Sequence, residues 1–404
     1  MKVGPGSRSA KALLGRDDND SERMKMDFSY TEEQTLLRNS VARYLADNYT
    51  FEQWRKFTRN EQGRDPKHWV QFAELGLLAA PLPEAHGGLG GDALSTQIVM
   101  EEFGRALVIE PYIPTVVVAG GMIAAAGSDA MKQEWLPKIA GGETIAAFAF
   151  AEASGRYNLA DLSVSAKKQG GNYLLNGQKS VAIGAPFADQ LVVTARSAGG
   201  RREANGVSVF LVDKKSKGVS CRDFPTVDGN RASEITFENV EVPASRLIGE
   251  ADRGLPLVER AVDHAIAATC AEAVGAMKVL VDATVEYSKT RKQFGVPIGK
   301  FQVLQHRMVD MFVNYEQAVS ITLMATLRLD ESDAERAKAA SAAKAQIGKS
   351  SRFVGQSAVQ VHGGMGMTDE LNVGHYFKRL TMIDTLYGNV DHHLKRFASF
   401  GAAA

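Results

Sequence analysis

The sequence predicts an α+β chain in several domains. A helical N-terminal domain comes first, then a central antiparallel β-barrel or sandwich, then a C-terminal four-helix bundle. Two observations carry this. Apolar residues recur at helical spacing to about residue 140, alternate between Tyr173 and Val242, and return to helical spacing from Leu255 onward. Gly141-Gly142 marks the first change of period and Pro243 the second. With 404 residues the chain has room for two or three domains, taken here as 26–147, 148–250 and 251–404.

Composition narrows the function. The 47 basic and 47 acidic residues cancel, which argues against a nucleic-acid partner. Charges interrupt the apolar segments, so no membrane span is expected. Cys221 and Cys270 offer no disulfide framework and no metal-ligand spacing, which points to a reducing, cytoplasmic setting and no metal. Residues 1–25 are rich in Gly, Ser, Arg and Asp without periodicity, and are expected to form a disordered leader upstream of Met26.

In chain order, Ser29 with Glu32 reads as a capping box ahead of a helix carrying Leu36, Leu37, Val41 and Leu45. Trp69, Phe72, Leu75 and Leu77 form a second stripe. The loop Pro83–Asp92 is glycine-rich but follows no strand, so it fits neither dinucleotide fingerprint nor P-loop. Strands are expected at Tyr173, at Gln190–Thr194, at Gly206–Val212 and at Glu234–Val242. Helices are expected from about Pro256 to Thr290, from Gln302 to about Leu329, from Ala334 to about Val361, and after Gly388.

Three stretches carry candidate chemistry. Tyr287–Gln302 breaks a helical pattern with Gly295, Pro297 and Gly299, and places Arg291, Phe294 and Gln302 at a tight corner. A guanidinium there suits bidentate phosphate, and an aromatic ring can cover a flat heterocycle. Gln360, His362, Gly363 and Gly364 end the third long helix, where glycines allow close approach of a ligand. Thr385–His393 places Gly388 before a polar helix start. His392 and His393 are adjacent on that helix and make a poor metal pair.

RKQFGVPIGKFQ, QVHGGMGMTDE and the helix–β–helix order together resemble the acyl-CoA dehydrogenase family from Asp27 onward. The resemblance implies an FAD enzyme that desaturates an acyl-CoA between Cα and Cβ and passes electrons to an electron-transfer flavoprotein, usually as a tetramer. It implies that Arg291, Phe294 and Gln302 contact the adenosine-diphosphate half of an FAD held mainly by a neighbouring subunit. Gln360, Gly363 and Gly364 would approach the same region, with Asn389 and Asp391 near the flavin. Asp263 falls at a position that contacts CoA.

Departures accompany the matches. The family's usual glutamate base precedes the glycine aligned with Gly388; here that residue is Tyr387, the candidate catalytic group. The alternative position of the base falls on Ala265. A base is required, because the α-proton must leave as the β-hydride goes to the flavin. The flavin-side loop reads Phe150–Asn158, with Ser154 and Arg156 as possible substitute donors, and the ring-covering segment reads Val181-Ala182-Ile183. TVEYSKTRKQFGVPIGKFQVLQHR and VGHYFKRLTMIDTLYG resemble the small subunit of pimeloyl-CoA dehydrogenase. Two functions follow: a dehydrogenase subunit in a homo- or hetero-tetramer, or a catalytically impaired partner that completes the FAD site of a paralogue.

Overall fold

The computed structural model describes residues 30–401, so the leader expected over 1–25 and the cap expected at Ser29 lie outside the described residues. Helix α1 (Glu32–Asn48) is capped by Thr31. Its hydroxyl accepts from Gln34 N at 3.2 Å, and Gln34 Oε1 accepts from Thr31 N at 3.1 Å. The capping box therefore lies two residues beyond the expected one, and Glu32 sits in the first turn, where its charge complements the helix dipole. Helices α2 (Phe51–Thr58), α3 (Pro66–Glu74) and α4 (Ala93–Ala106) follow. A π-helical turn, Ile113–Gly120, runs into α5 (Gly121–Ala126), and α6 (Asp129–Ala140) closes the helical part. The glycine-rich loop before α4 serves packing: a Cβ at Gly88 would lie 2.0 Å from the Leu82 carbonyl oxygen.

Eight strands follow: β1 (Ala146–Ala149), β2 (Ser165–Gln169), β3 (Asn172–Ile183), β4 (Gln190–Arg196), β5 (Val207–Asp213), β6 (Val219–Pro225), β7 (Arg231–Pro243) and β8 (Leu247–Ile248). Their order is β6-β7-β3-β2-β4-β5-β8, with β1 alongside β4. The sheet is open along this path and mixed, not a closed antiparallel barrel. β1 arrives from the helical domain and runs parallel to β4, and β2 meets β4 in parallel at Ser165 and Arg196. β1 is four residues of Ala and Phe, and β2 reads Ser-Ala-Lys-Lys-Gln, so neither announces itself by alternation.

The C-terminal part holds α7 (Leu255–Thr290), the hairpin β9 (Lys292–Gln293) and β10 (Val296–Pro297), α8 (Gln302–Leu327), α9 (Asp333–His362), α10 (Val373–Thr385) and α11 (Val390–Ser399). Helices α7 to α10 form the bundle and α11 packs on α9. Contrary to the expectation from charges, α7 is long and apolar enough to cross a membrane by length and composition. However, 83% of its most apolar window is buried inside the fold, so its apolarity serves the core. Helix α7 meets α4 through two glycines. A Cβ at Gly104 would lie 1.9 Å from Glu272 O, and one at Gly275 would lie 1.9 Å from Glu101 O. This close crossing fixes the position of Glu272.

Candidate functional site

The α7–α8 corner is a two-residue hairpin. Phe294 (φ 52°) and Gly295 (φ 81°) both take left-handed backbone between the paired β9 and β10, the signature of a type I′ turn. Phenylalanine is a costly choice there, yet its ring is 91% exposed, with only an edge contact to Phe301 at 6.1 Å. Arg291, Gln302 and Gln360 are exposed as well. Lys289 pairs with Glu286 at 2.6 Å, whereas Arg291 has no acidic partner among the described residues.

The structure brings this corner to the end of α9. The Tyr287 and His362 rings stack with centroids 4.3 Å apart, so Gly363 and Gly364 lie beside the hairpin's root. A Cβ at either glycine would meet nothing within 4 Å, so no internal packing demands glycine; only the φ of 60° at Gly363 does. The corner presents a guanidinium, two carboxamides, an aromatic face and open backbone, a donor set that fits a nucleotide diphosphate.

The second region is a cavity of about 620 Å³ between the β2-side loop, α7 and α11. Phe150, Arg156, Tyr157, Tyr387, Asn389 and Arg396 are among its walls. Tyr387 stacks on Phe150 with centroids 5.8 Å apart and planes 16° apart, and Phe150 stacks on Phe148 at 4.5 Å. Burial pushes the Tyr387 phenol above its ordinary value, with Glu272 adding to the rise and Arg379 opposing it. A phenol so shifted is protonated near neutrality, which weighs against the expectation that Tyr387 is the base.

The loop holding Tyr387 is clamped. Buried Lys344 on α9 donates to Gly388 O at 2.6 Å and Asp384 O at 3.0 Å, and burial lowers its pKa to about 8. His393 Nε2 donates to Tyr387 O at 3.0 Å, and Asn389 caps α11 by accepting from His392 N at 3.0 Å. Asn389 thus reaches the cavity wall with its oxygen already engaged. Behind Phe150, Lys179 is fully buried and bonds Phe150 O, Glu152 and Thr194, which fixes the Phe150 loop. Val181 takes φ 49° beside an irregularity in the β3–β7 register. A β-branched residue there is strained, and such strain gathers at binding sites.

Other sequence assignments change. Asp263 is fully buried, accepts from Arg396 at 2.6 Å and faces Arg336 at 3.5 Å, so it has no surface for substrate. It holds Arg396, which is the residue at the cavity wall. Ser154 is taken by Arg201, while Arg156 lines the cavity together with Tyr157 and Asn158 of the same loop. His264 lines a different cavity with Arg260 and Leu257, and burial lowers its pKa to about 4.

Sequence reading missed a smaller cavity, of about 50 Å³, that shares Tyr387 with the first. Met100, Phe103, Ile113 and Ile183 give it apolar walls, and Glu110, Glu272, Asn230 and Arg379 give it polar ones. Arg379 on α10 donates to both Glu272 oxygens (2.5 and 2.7 Å) and to Asp228 at 2.7 Å. Burial opposes its charge, but these two carboxylates hold it protonated. The one available signal was Glu110 in the apolar run Leu107–Ile113, an acid where the pattern wants none.

Comparison with known proteins agrees with this arrangement. The N-terminal, middle and C-terminal domains of acyl-CoA dehydrogenase match residues 31–143, 147–240 and 252–399. Acyl-CoA dehydrogenase FadE12 of Mycobacterium tuberculosis is 31% identical, covering 86% of this chain and 90% of its own. The caffeyl-CoA reductase-Etf complex subunit CarC of Acetobacterium woodii is 30% identical, covering 79% and 85%. Among solved structures, the ChsE4-ChsE5 complex from Mycobacterium tuberculosis superimposes with TM-score 0.85 at 26% identity, over 94% of this chain and 100% of that one. The FAD complex of PigA gives 0.86 at 25%, over 94% and 100%. On its sequence, its three domains and its fold, the chain belongs to the acyl-CoA dehydrogenase family of oxidoreductases.

Proposed function

We propose that this chain binds FAD as a subunit of an acyl-CoA dehydrogenase that desaturates an acyl-CoA at Cα–Cβ and passes the electrons to an electron-transfer flavoprotein. Exposed Arg291, without an acidic partner among the described residues and beside Gln302, Gln360 and two open glycines, carries the reading. These residues point outward, so they serve a cofactor held against a neighbouring subunit of a homo- or hetero-tetramer, in the cytoplasm. FAD, when bound, supplies the acceptor for the β-hydride. Phe150, Val181 and Arg156 line the ring side, Arg396 meets the CoA side, and apolar walls exclude water. The relatives that form an Etf complex and a paired ChsE4-ChsE5 assembly support the partner assignments.

A second reading is favoured by one observation. Tyr387, stacked on Phe150, stands at the wall where a carboxylate base is customary, as expected for a partner that completes a paralogue's FAD site. This is the role resembling the small subunit of pimeloyl-CoA dehydrogenase. The two readings separate when the chain is purified alone and with its genomic neighbour, with the flavin spectrum followed on adding acyl-CoA. A yellow isolated protein that bleaches supports the first; a colourless one that colours the pair supports the second.

A further inference from the structure

A third cavity lies on the face of α7 turned away from the larger one. Leu257, Arg260, Ala261 and His264 line it, whereas Leu255, Glu259 and Val262 line the cavity beside Tyr387. It holds about 290 Å³ between α7 and the helical run over residues 117–125. Val117, Met122, Ala124, Ala125, Leu257 and Ala261 make walls that are apolar and carry no aromatic ring. The π-helical turn Ile113–Gly120 widens the coil just before the cavity, and such turns are uncommon and gather at functional sites. Gly121 follows in ordinary helical geometry (φ −61°, ψ −43°), where alanine would hold the helix better. A Cβ there would meet nothing within 4 Å, so packing does not demand the glycine. What the glycine provides is an open rim.

The walls carry one charge. Burial keeps the His264 imidazole neutral, so Arg260 is the sole ionised residue that lines the cavity. Its side chain is 48% exposed, and its one ion partner among the described residues, Asp330, is 84% exposed and 3.9 Å away. That separation is too long for a hydrogen bond, and water screens a pair so exposed. The guanidinium therefore keeps its donors at the mouth of an apolar pocket.

We propose that this cavity is a second ligand site, for an unbranched aliphatic carboxylate whose alkyl chain lies along Met122, Leu257 and Ala261 and whose head pairs with Arg260 at the rim. At about 30 Å³ for each water-sized group, the volume takes roughly eight to ten carbons. The chain length follows from the volume, and the acidic head from Arg260. An alkyl chain is favoured over an aryl group because no wall offers a ring to stack on. The site uses none of the residues assigned to FAD or acyl-CoA, so it stands apart from the function proposed above.

The test is calorimetric titration of the full-length, FAD-loaded protein with butyrate, hexanoate, octanoate and octanol. Octanoate is expected to bind, with each two-carbon extension tightening the carboxylates by about fivefold. Octanol, which lacks the charge, should bind about tenfold more weakly than octanoate. Arg260→Gln should bring octanoate down to the level of octanol and leave octanol unchanged. Gly121→Leu fills the rim with a good helix former and should abolish octanoate binding. The thermal midpoint and flavin content of both variants should match the parent, which separates loss of this site from unfolding and from binding in the larger cavity. No binding of octanoate, equal binding of octanol, affinity independent of chain length, or octanoate binding that survives both substitutions overturns the proposal.

Discussion

The α7–α8 corner and the cavity wall around Tyr387 are built on opposite terms. At the corner, Arg291, Phe294, Gln302 and Gln360 project outward and Gly363 and Gly364 face open space. At the wall, Tyr387 and Phe150 stack, Lys344 and His393 pin the loop, and the acids behind it are almost all paired. The corner leaves its polar side chains facing solvent, whereas most of the wall's polar groups are paired and a few buried atoms, Glu110 Oε1 and Asp384 Oδ1 among them, are not. Phe294 is exposed and held in costly left-handed backbone, which fits the external ligand proposed for the corner. Buried groups already matched have purposes that can be read from their partners.

The strongest test removes the corner's charge. Arg291→Ala should weaken FAD binding by roughly 100-fold, in line with loss of a bidentate charge-assisted contact. It should be measured as the flavin-to-protein absorbance ratio after dialysis, with the thermal midpoint of the apo-protein unchanged. Full FAD occupancy in that variant would break the comparison at its open end.

Glu110 gives the next effect. Burial raises its pKa to about 7, against about 4.3 in an unfolded chain. A raised carboxyl pKa favours the fold fully below about pH 4, and that contribution is lost as pH rises towards 7. Ionised at pH 8, Glu110 costs about 3 kcal/mol relative to its protonated state. Glu110→Gln should therefore stabilise the chain at pH 8 and leave it unchanged at pH 4, by denaturant titration. A pH-independent effect would mean that the cavity is wetter than its walls imply.

Gly388→Ala probes the clamped loop. The new Cβ would lie 2.4 Å from His393 Nε2, at a φ of 118°. A loss of about 2 kcal/mol is expected, together with a changed absorbance of bound flavin. The same substitution at Gly364 meets open space and should leave stability within about 0.5 kcal/mol while weakening FAD, which sharpens the contrast between the regions.

Phe294→Asn is the smallest and most discriminating change. Asn-Gly suits a type I′ turn better than Phe-Gly, so stability should rise by about 0.5 kcal/mol. FAD affinity should fall, because the exposed ring is lost. A variant both more stable and equally tight would remove Phe294 from the site.

The helical and β regions were legible because buried faces impose a period on sequence. Val258, Val262, Ile266 and Val274 mark α7 as plainly as the alternation in β7 marks a strand. The short strands β1 and β2 were not legible, since neighbours across the sheet and not their own residues decide them. The corner's glycines, proline and arginine stand close together in the chain and could be read. Asp263 could not be, because Arg336 and Arg396, which enclose it, lie 73 and 133 residues away.

The sequence by itself determined the order of helices, sheet and bundle, and the tight corner between Tyr287 and Gln302. Each is a local pattern, a period or a turn, and local patterns survive in one dimension. Only the tertiary structure decided that Tyr387 stacks on Phe150 at a cavity wall, that Asp263 serves Arg396, and that Glu110 is buried against Tyr49. Those are statements about desolvation and pairing, and both depend on which distant segments the fold packs against each group.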